Sequence, residues 1–258
     1  MVTRATLAPA GPECLRVTGS GPILLVCDHA SNAVPESFAL LGLERGNLED
    51  HIAWDIGAAG VTRHLSELLD CPAVLTTVSR LVIDCNRAPG DWDSIIQLSE
   101  FTPVPGNVGL DDGERAARAD AYYTPYHDGI AAIVGAGSAH IGAIVAVHSF
   151  VPVYHGRKRP WHIGLIHDGD HRLAAALAAY LRADSDLVVG DNEPYAPGDG
   201  VYHTLSRHAA ARGLPSLMIE IRSDLIREEA DQRAWAQRLA PMLRRAAEGL
   251  AIRESGLG

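Results

Sequence analysis

Apolar residues along this chain come in short unbroken runs rather than in strict alternation. Ile23–Cys27 is the first of them, and Ile141–Val147 repeats its form. Runs of this kind suit strands buried on both faces of a parallel sheet. Each ends abruptly in polar residues: Asp28-His29 after the first, His148-Ser149 after the second. Shorter runs at Ala73–Thr77, Trp161–Ile166, Leu187–Val189 and Leu217–Ile221 predict further strands, and Leu81–Ile83 is a brief apolar stretch before Asp84-Cys-Asn86-Arg87. Helical spacing of apolar positions predicts helices over 55–69, over 112–135 with a break at Pro125, over 170–183 and over 226–252, whose body is 228–252. Phe38–Leu43 reads as a short helical turn, and Val201–Ala211 contains another short helix.

Strands thus alternate with helices. The pattern predicts one α/β domain over 1–258, with a mixed, mostly parallel central sheet flanked by helices on both faces. Residues 1–21 are rich in proline and glycine and read as a lead-in. Residues 91–112 and 151–160 read as loops. The length, 258 residues, is enough for a large core.

A net charge of -10 and the lack of a basic stripe exclude a general nucleic-acid binder. A small anionic substrate stays compatible, because a few buried arginines reverse the local field. No run approaches the ~18 apolar residues of a membrane span, and the N-terminus shows no apolar signal core. Cys14, Cys27, Cys71 and Cys85 form no CxxC pair and read as reduced, mostly buried thiols. These features point to a cytoplasmic protein.

His29, His148 and Glu220 all close predicted strands. Strand ends converge on one crevice in an open α/β sheet. Two histidines and a carboxylate are a common zinc set that leaves a position for water. Asp55, at a predicted helix start, is the preferred further ligand, though the position also suits a plain N-cap. His51 and Asn32 are the other candidates, and an amide is a poor zinc ligand. A buried Glu220 beside the metal suits a general base. Arg222 shares its strand face and could bind a substrate carboxylate, or serve only a structural pair. Asn86-Arg87 is a second candidate clamp, with a turn-stabilising role as the alternative.

The set Cys27-Asp-His29-Ala-Ser-Asn32-Ala-Val-Pro35, Trp54-Asp55-Ile-Gly57, Ser79-Arg80-Leu-Val-Ile-Asp84-Cys-Asn86-Arg87, Val147-His148-Ser149-Phe, Asp191-Asn192-Glu-Pro-Tyr195 and Ile219-Glu220-Ile-Arg222 resembles the N-formylglutamate amidohydrolase family, from about residue 22 to 227. The resemblance implies a phosphorylase/hydrolase-like, zinc carboxypeptidase-like fold. It also implies zinc-dependent hydrolysis of an N-acyl amino acid such as N-formylglutamate. By position it implies His29 and His148 as ligands, Asn86-Arg87 as the carboxylate-binding pair and Glu220 as the catalytic glutamate. Beside these, Arg80 is expected to steady the oxyanion, and Arg222, Ser149 and Asn192 are expected around the substrate. Carboxypeptidases carry a glutamate where this chain has Asn32, which is why Asp55 is taken as the remaining ligand. A metallopeptidase, a hydrolase of another N-acyl amino acid, or a non-catalytic binding protein on the same scaffold are the competing expectations.

Overall fold

The computed structural model describes residues 14–135, 141–183 and 186–255. Its strands are β1 (Leu15–Val17), β2 (Ile23–Cys27), β3 (Ala73–Leu75), β4 (Leu98–Ser99), β5 (Thr102–Pro103), β6 (Ala143–Phe150), β7 (Val153–Tyr154), β8 (Arg157–Lys158), β9 (Ile163–Ile166), β10 (Val189–Asp191) and β11 (Ser216–Arg222). Its α-helices are α1 (Arg45–Glu49), α2 (Ala58–Leu69), α3 (Asp112–Arg118), α4 (Thr124–Gly135), α5 (Arg172–Arg182), α6 (His203–His208) and α7 (Glu229–Ser255). Seven strands make one sheet in the order β1-β3-β2-β6-β11-β9-β10. Pairs β3–β2, β2–β6, β6–β11 and β9–β10 are parallel, while β1–β3 and β11–β9 are antiparallel. The expected single α/β domain with a mostly parallel mixed sheet is what forms.

The unbroken apolar runs are explained by two cores, one on each face of the sheet. Ile23, Leu25 and Cys27 point to a layer built with α2, α5 and α7. Leu24 and Val26 point to a second layer with Tyr126 and Ile130 of α4 and Leu205 of α6. A strand buried on both sides has no position left for alternation.

The second layer also decides where the chemistry sits. Side chains two apart on a strand share a face. Leu24 and Val26 are therefore followed on that face by Asp28, Ile144 and Ala146 by His148, and Met218 by Glu220. Parallel pairing then sets His148 opposite Glu220. The polar groups cap one apolar layer along one edge of the sheet.

Several expected boundaries move. The second long strand does not stop before His148 but runs through His148 and Ser149 to Phe150. The lead-in contains an edge strand, β1, antiparallel to β3; residues 1–13 lie outside the described residues. Leu81–Ile83 is buried but turns, with the Val82 amide donating to the Ser79 carbonyl. The break at Pro125 is taken up by a π-helical turn, Ala119–Tyr123, between α3 and α4. The expected loops 91–112 and 151–160 each hold a small hairpin, β4–β5 and β7–β8. Helix α2 starts only at Ala58, capped by Gly57 at φ 84°, so Asp55 precedes the helix instead of capping it. A Cβ on Gly57 would lie 2.1 Å from the Ile226 carbonyl oxygen, so this turn requires glycine.

Beneath the second layer, His127 and His208 form a buried neutral pair. His127 Nε2 donates to the Cys85 carbonyl at 2.9 Å, so its Nδ1 accepts from His208 Nε2 at 2.8 Å. Burial pushes His127 down to about 3 and His208 down to about 4. The unfolded chain therefore takes up protons first as pH falls through the ordinary histidine range. The contribution of the pair is complete above about 6.5 and is lost as pH falls toward the folded values. Between pH 7 and 5 each histidine should cost about 2 kcal/mol of stability. Urea unfolding at both pH values should show the drop shrinking by that amount in His208→Gln; an unchanged drop would remove the pair as its source.

Candidate metal centre and active site

His29 lies two residues past the end of β2, and Asp55 lies in the turn before α2. The Asp55 amide donates to the His29 carbonyl at 3.0 Å, which clamps the two loops together. His148 stands on β6. His29 Nδ1 lies 3.3 Å and His148 Nδ1 2.8 Å from the same oxygen, Asp55 Oδ2. The Ser149 amide donates to that oxygen at 3.3 Å. All three side chains are buried.

The far nitrogen of each ring is also held. His29 Nε2 meets Asp84 Oδ1 at 2.8 Å, and His148 Nε2 meets Asp28 Oδ2 at 2.9 Å. Carboxylates behind metal-binding histidines fix the tautomer and leave the near nitrogen as a donor of electrons. Asp28 is itself held: its Oδ1 accepts from Tyr126 Oη at 2.9 Å and from Thr204 Oγ1 at 2.5 Å.

Electrostatics test whether a cation belongs here. Both ring nitrogens of both histidines face carboxylates. Burial and Arg80 pull His29 down, but Asp84 and Asp55 outweigh them and raise it. Burial opposes charge on His148 too, and its bonds to Asp28 and Asp55 raise it well above the usual range. Against the same burial, His148 holds Asp28 down at about 2, His29 and His148 hold Asp55 low, and Arg80 and His29 hold Asp84 low. The cluster demands positive charge at the two Nδ1 positions. Two protons satisfy it, and so does one divalent ion among His29, Asp55 and His148, whose ligand atoms all lie within 4.8 Å of one another. The donor set, two imidazoles and a carboxylate, is of the catalytic zinc kind.

These groups line a cavity together with His51, Arg80, Asn86, Arg87, Asp93, Glu100, Ser149, Tyr154, Tyr195, Met218 and Glu220. Glu220 is 4% exposed, and its Oε2 has no hydrogen-bond partner among the described residues. Burial raises it to about 7, with Asp55 adding and His148 opposing. Arg80 donates Nη2 to Asp84 Oδ2 at 2.6 Å and sets Nη1 3.8 Å from Asp55 Oδ1.

The other expected site residues divide. Arg87 and Ser149 line the cavity; Arg222 and Asn192 do not. Arg222 begins on the Glu220 face, but its guanidinium turns back to Asp224, Nε to Oδ1 at 2.8 Å, and Nη1 reaches the Trp161 carbonyl. Asn192 Oδ1 instead accepts from the His167 amide at 2.9 Å. Asn86 lines the cavity, yet its amide is committed: Nδ2 to the Val201 carbonyl at 2.5 Å, Oδ1 from the Thr204 amide at 3.0 Å. It ties the 84–87 loop to α6. His51 holds Asp50 and Glu100 at 2.5 and 2.7 Å, apart from the His29–Asp55–His148 cluster.

Sequence reasoning passed over Asp28, Asp84 and Tyr195 as site residues. The first two carried a signal: Asp28 adjoins His29, and Asp84 lies two residues before Asn86 in the same motif. Tyr195 closes its own motif, and burial and Glu220 raise it to about 12.

Known proteins share the fold. The crystal structure of gene product Atu2144 from Agrobacterium tumefaciens matches with a TM-score of 0.90 and 42% identity, over 94% of this chain and 97% of that one. The crystal structure of N-formylglutamate amidohydrolase from Ralstonia eutropha JMP134 shares the fold, with a TM-score of 0.70 and 21% identity over 92% of this chain and 98% of that one. Curated protein sequences give no significant match. The sequence model of the N-formylglutamate amidohydrolase family matches residues 21–227, four-fifths of the chain, and the chain belongs to that family.

Proposed function

We propose that the chain is a metal-dependent amidohydrolase that splits the amide bond of an N-acyl amino acid, with N-formylglutamate the compound its family name points to. The observation that carries this reading is Glu220: a buried carboxylate with an unpartnered oxygen, lining the same cavity as His29, Asp55 and His148. A structural glutamate so deeply buried would normally be paired.

His29, Asp55 and His148 would hold one divalent ion, with zinc the expected metal. Such an ion supplies a Lewis acid and makes water more acidic near neutral pH. Glu220 takes the proton from the attacking water as its oxygen bonds to the acyl carbon. Arg80, already fixed by Asp84, places positive charge beside the cavity, where the carbonyl oxygen gains negative charge. The carbon–nitrogen bond then breaks, and Glu220 passes its proton to the leaving amine. A carboxylate and a free amino acid result; for an N-formyl substrate the carboxylate is formate. Arg87 holds the substrate's α-carboxylate, while Asn86 fixes the loop that carries Arg87.

Among the described residues no helix is long and apolar enough to cross a membrane. The test is direct. Protein loaded with one equivalent of zinc should release formate from N-formyl amino acids, and chelation should stop it. Release that is indifferent to chelation would remove the metal from the reaction. A protein that takes up zinc yet hydrolyses no N-formyl or N-acetyl amino acid would favour a binding role.

A further inference from the structure

The arginines around the cavity are not equally engaged. Arg80 donates to Asp84 and lies near Asp55, and Arg87 donates to Asp93. Arg222 is turned to Asp224. Arg159 has no carboxylate partner among the described residues. It directly follows β8, and its amide donates to the Pro152 carbonyl at 2.9 Å, which closes the base of the β7–β8 hairpin. Its guanidinium carbon stands 4.5 Å from the Tyr154 ring centroid and 4.7 Å from that of Tyr195. Both tyrosines line the cavity. Nη1 donates to Tyr195 Oη at 3.0 Å, whereas Nε and Nη2 have no partner among the described residues.

Rings stacked on a guanidinium hold its faces and leave its N–H edge open. A planar fork fixed in advance loses little freedom when a carboxylate docks on it. The acids of the cavity do not claim this fork. Asp55 and Asp84 face the histidines and Arg80, Asp93 faces Arg87, and Glu100 faces His51. Burial raises Glu220, and Arg159 is among the charges that hold it down, so the guanidinium stands within electrostatic reach of the cavity. A half-buried cation, held rigid at the cavity wall without an acid, suits an anion that arrives with the ligand.

Resting on the amide-hydrolase reading above, we propose that Arg159 binds the side-chain carboxylate of a dicarboxylic N-acyl amino acid, while Arg87 holds its α-carboxylate. Arg159 is thereby a specificity-determining residue, and the Tyr154 and Tyr195 rings position it. The β7–β8 hairpin selects the amino acid, and the His29–Asp55–His148 cluster with Glu220 serves the amide.

The experiment compares the zinc-loaded enzyme on N-formylglutamate and Nα-formylglutamine, which differ by a carboxylate against an amide at one place. The wild type should favour glutamate by at least about tenfold in kcat/KM. Arg159→Gln should lower kcat/KM for N-formylglutamate by about 10- to 100-fold, chiefly through KM. It should leave Nα-formylglutamine near its wild-type value. Arg159→Lys, which keeps the charge without the fork, should retain part of the preference. If Arg159 only ties the hairpin to Tyr195, Arg159→Gln lowers both substrates together, and that result would overturn the proposal. A wild type that turns over Nα-formylglutamine as well as N-formylglutamate would also overturn it, without any variant, and would leave the hydrolase reading standing. An enzyme inert on both compounds and on other N-formyl amino acids would overturn the hydrolase reading, and this proposal with it.

Discussion

Replacing Glu220 with glutamine should lower turnover by about 10²- to 10⁴-fold, the usual worth of a positioned general base, while zinc content stays at the wild-type level. The glutamine keeps the shape of the side chain and its place on β11 opposite His148. What it loses is the ability to take and return a proton. The buried oxygen without a partner makes the change clean, because no existing hydrogen bond at Oε2 is broken. Steady-state kinetics beside metal analysis separates the outcomes. Loss of turnover with metal retained supports the base. Turnover near the wild-type rate would assign the proton to another group, of which Tyr195 is the nearest in character.

Asp55→Ala should weaken zinc binding more than any change behind the histidines. Asp55 Oδ2 is the point on which both Nδ1 atoms converge, so on the proposed reading its loss would remove a ligand and the negative charge that offsets the ion. Asp28→Asn supplies the scale. It keeps the shape of Asp28 but weakens the acceptor behind His148, and loss of such an outer partner costs about 10- to 100-fold in metal affinity. Asp55→Ala should exceed that range in a direct zinc titration. The thermal melt of each variant, taken without metal, shows whether the fold survives. A folded Asp55→Ala protein that binds zinc like the wild type would move the ligand elsewhere, and His51 would be tested next.

Much of this fold and site can be read from the chain before any coordinates. Ile23–Cys27 matches its strand at both ends because an unbroken apolar run cut off by Asp28 admits few other structures. His29, His148 and Glu220 come together because parallel strands carry their ends to one edge. Asp55 was legible for its charge and position, although the structural reason is the Gly57 turn, which holds it ahead of α2. Side-chain direction was not legible. Arg222 and Glu220 share a strand face, yet the Arg222 guanidinium pairs with Asp224 and does not line the cavity. Asn86 looked like a free amide because its partners, Val201 and Thr204, lie over a hundred residues away in sequence. The same distance hid Asp28 as a support for His148. No local pattern reports a hydrogen bond that only the finished fold creates.

Asp28 also bears on how the protein comes to be competent. Its donors are Tyr126, His148 and Thr204, separated from it by 98, 120 and 176 residues. Contacts of such span carry the largest loop-closure cost and slow folding. They link β2, α4, β6 and α6, so His148 gains its full support only when the chain is assembled nearly to α6. A nascent or partly unfolded chain holds the same histidines without that orientation. Metal capture by His148, on the proposed reading, would in this sense come late in folding, once α6 is in place.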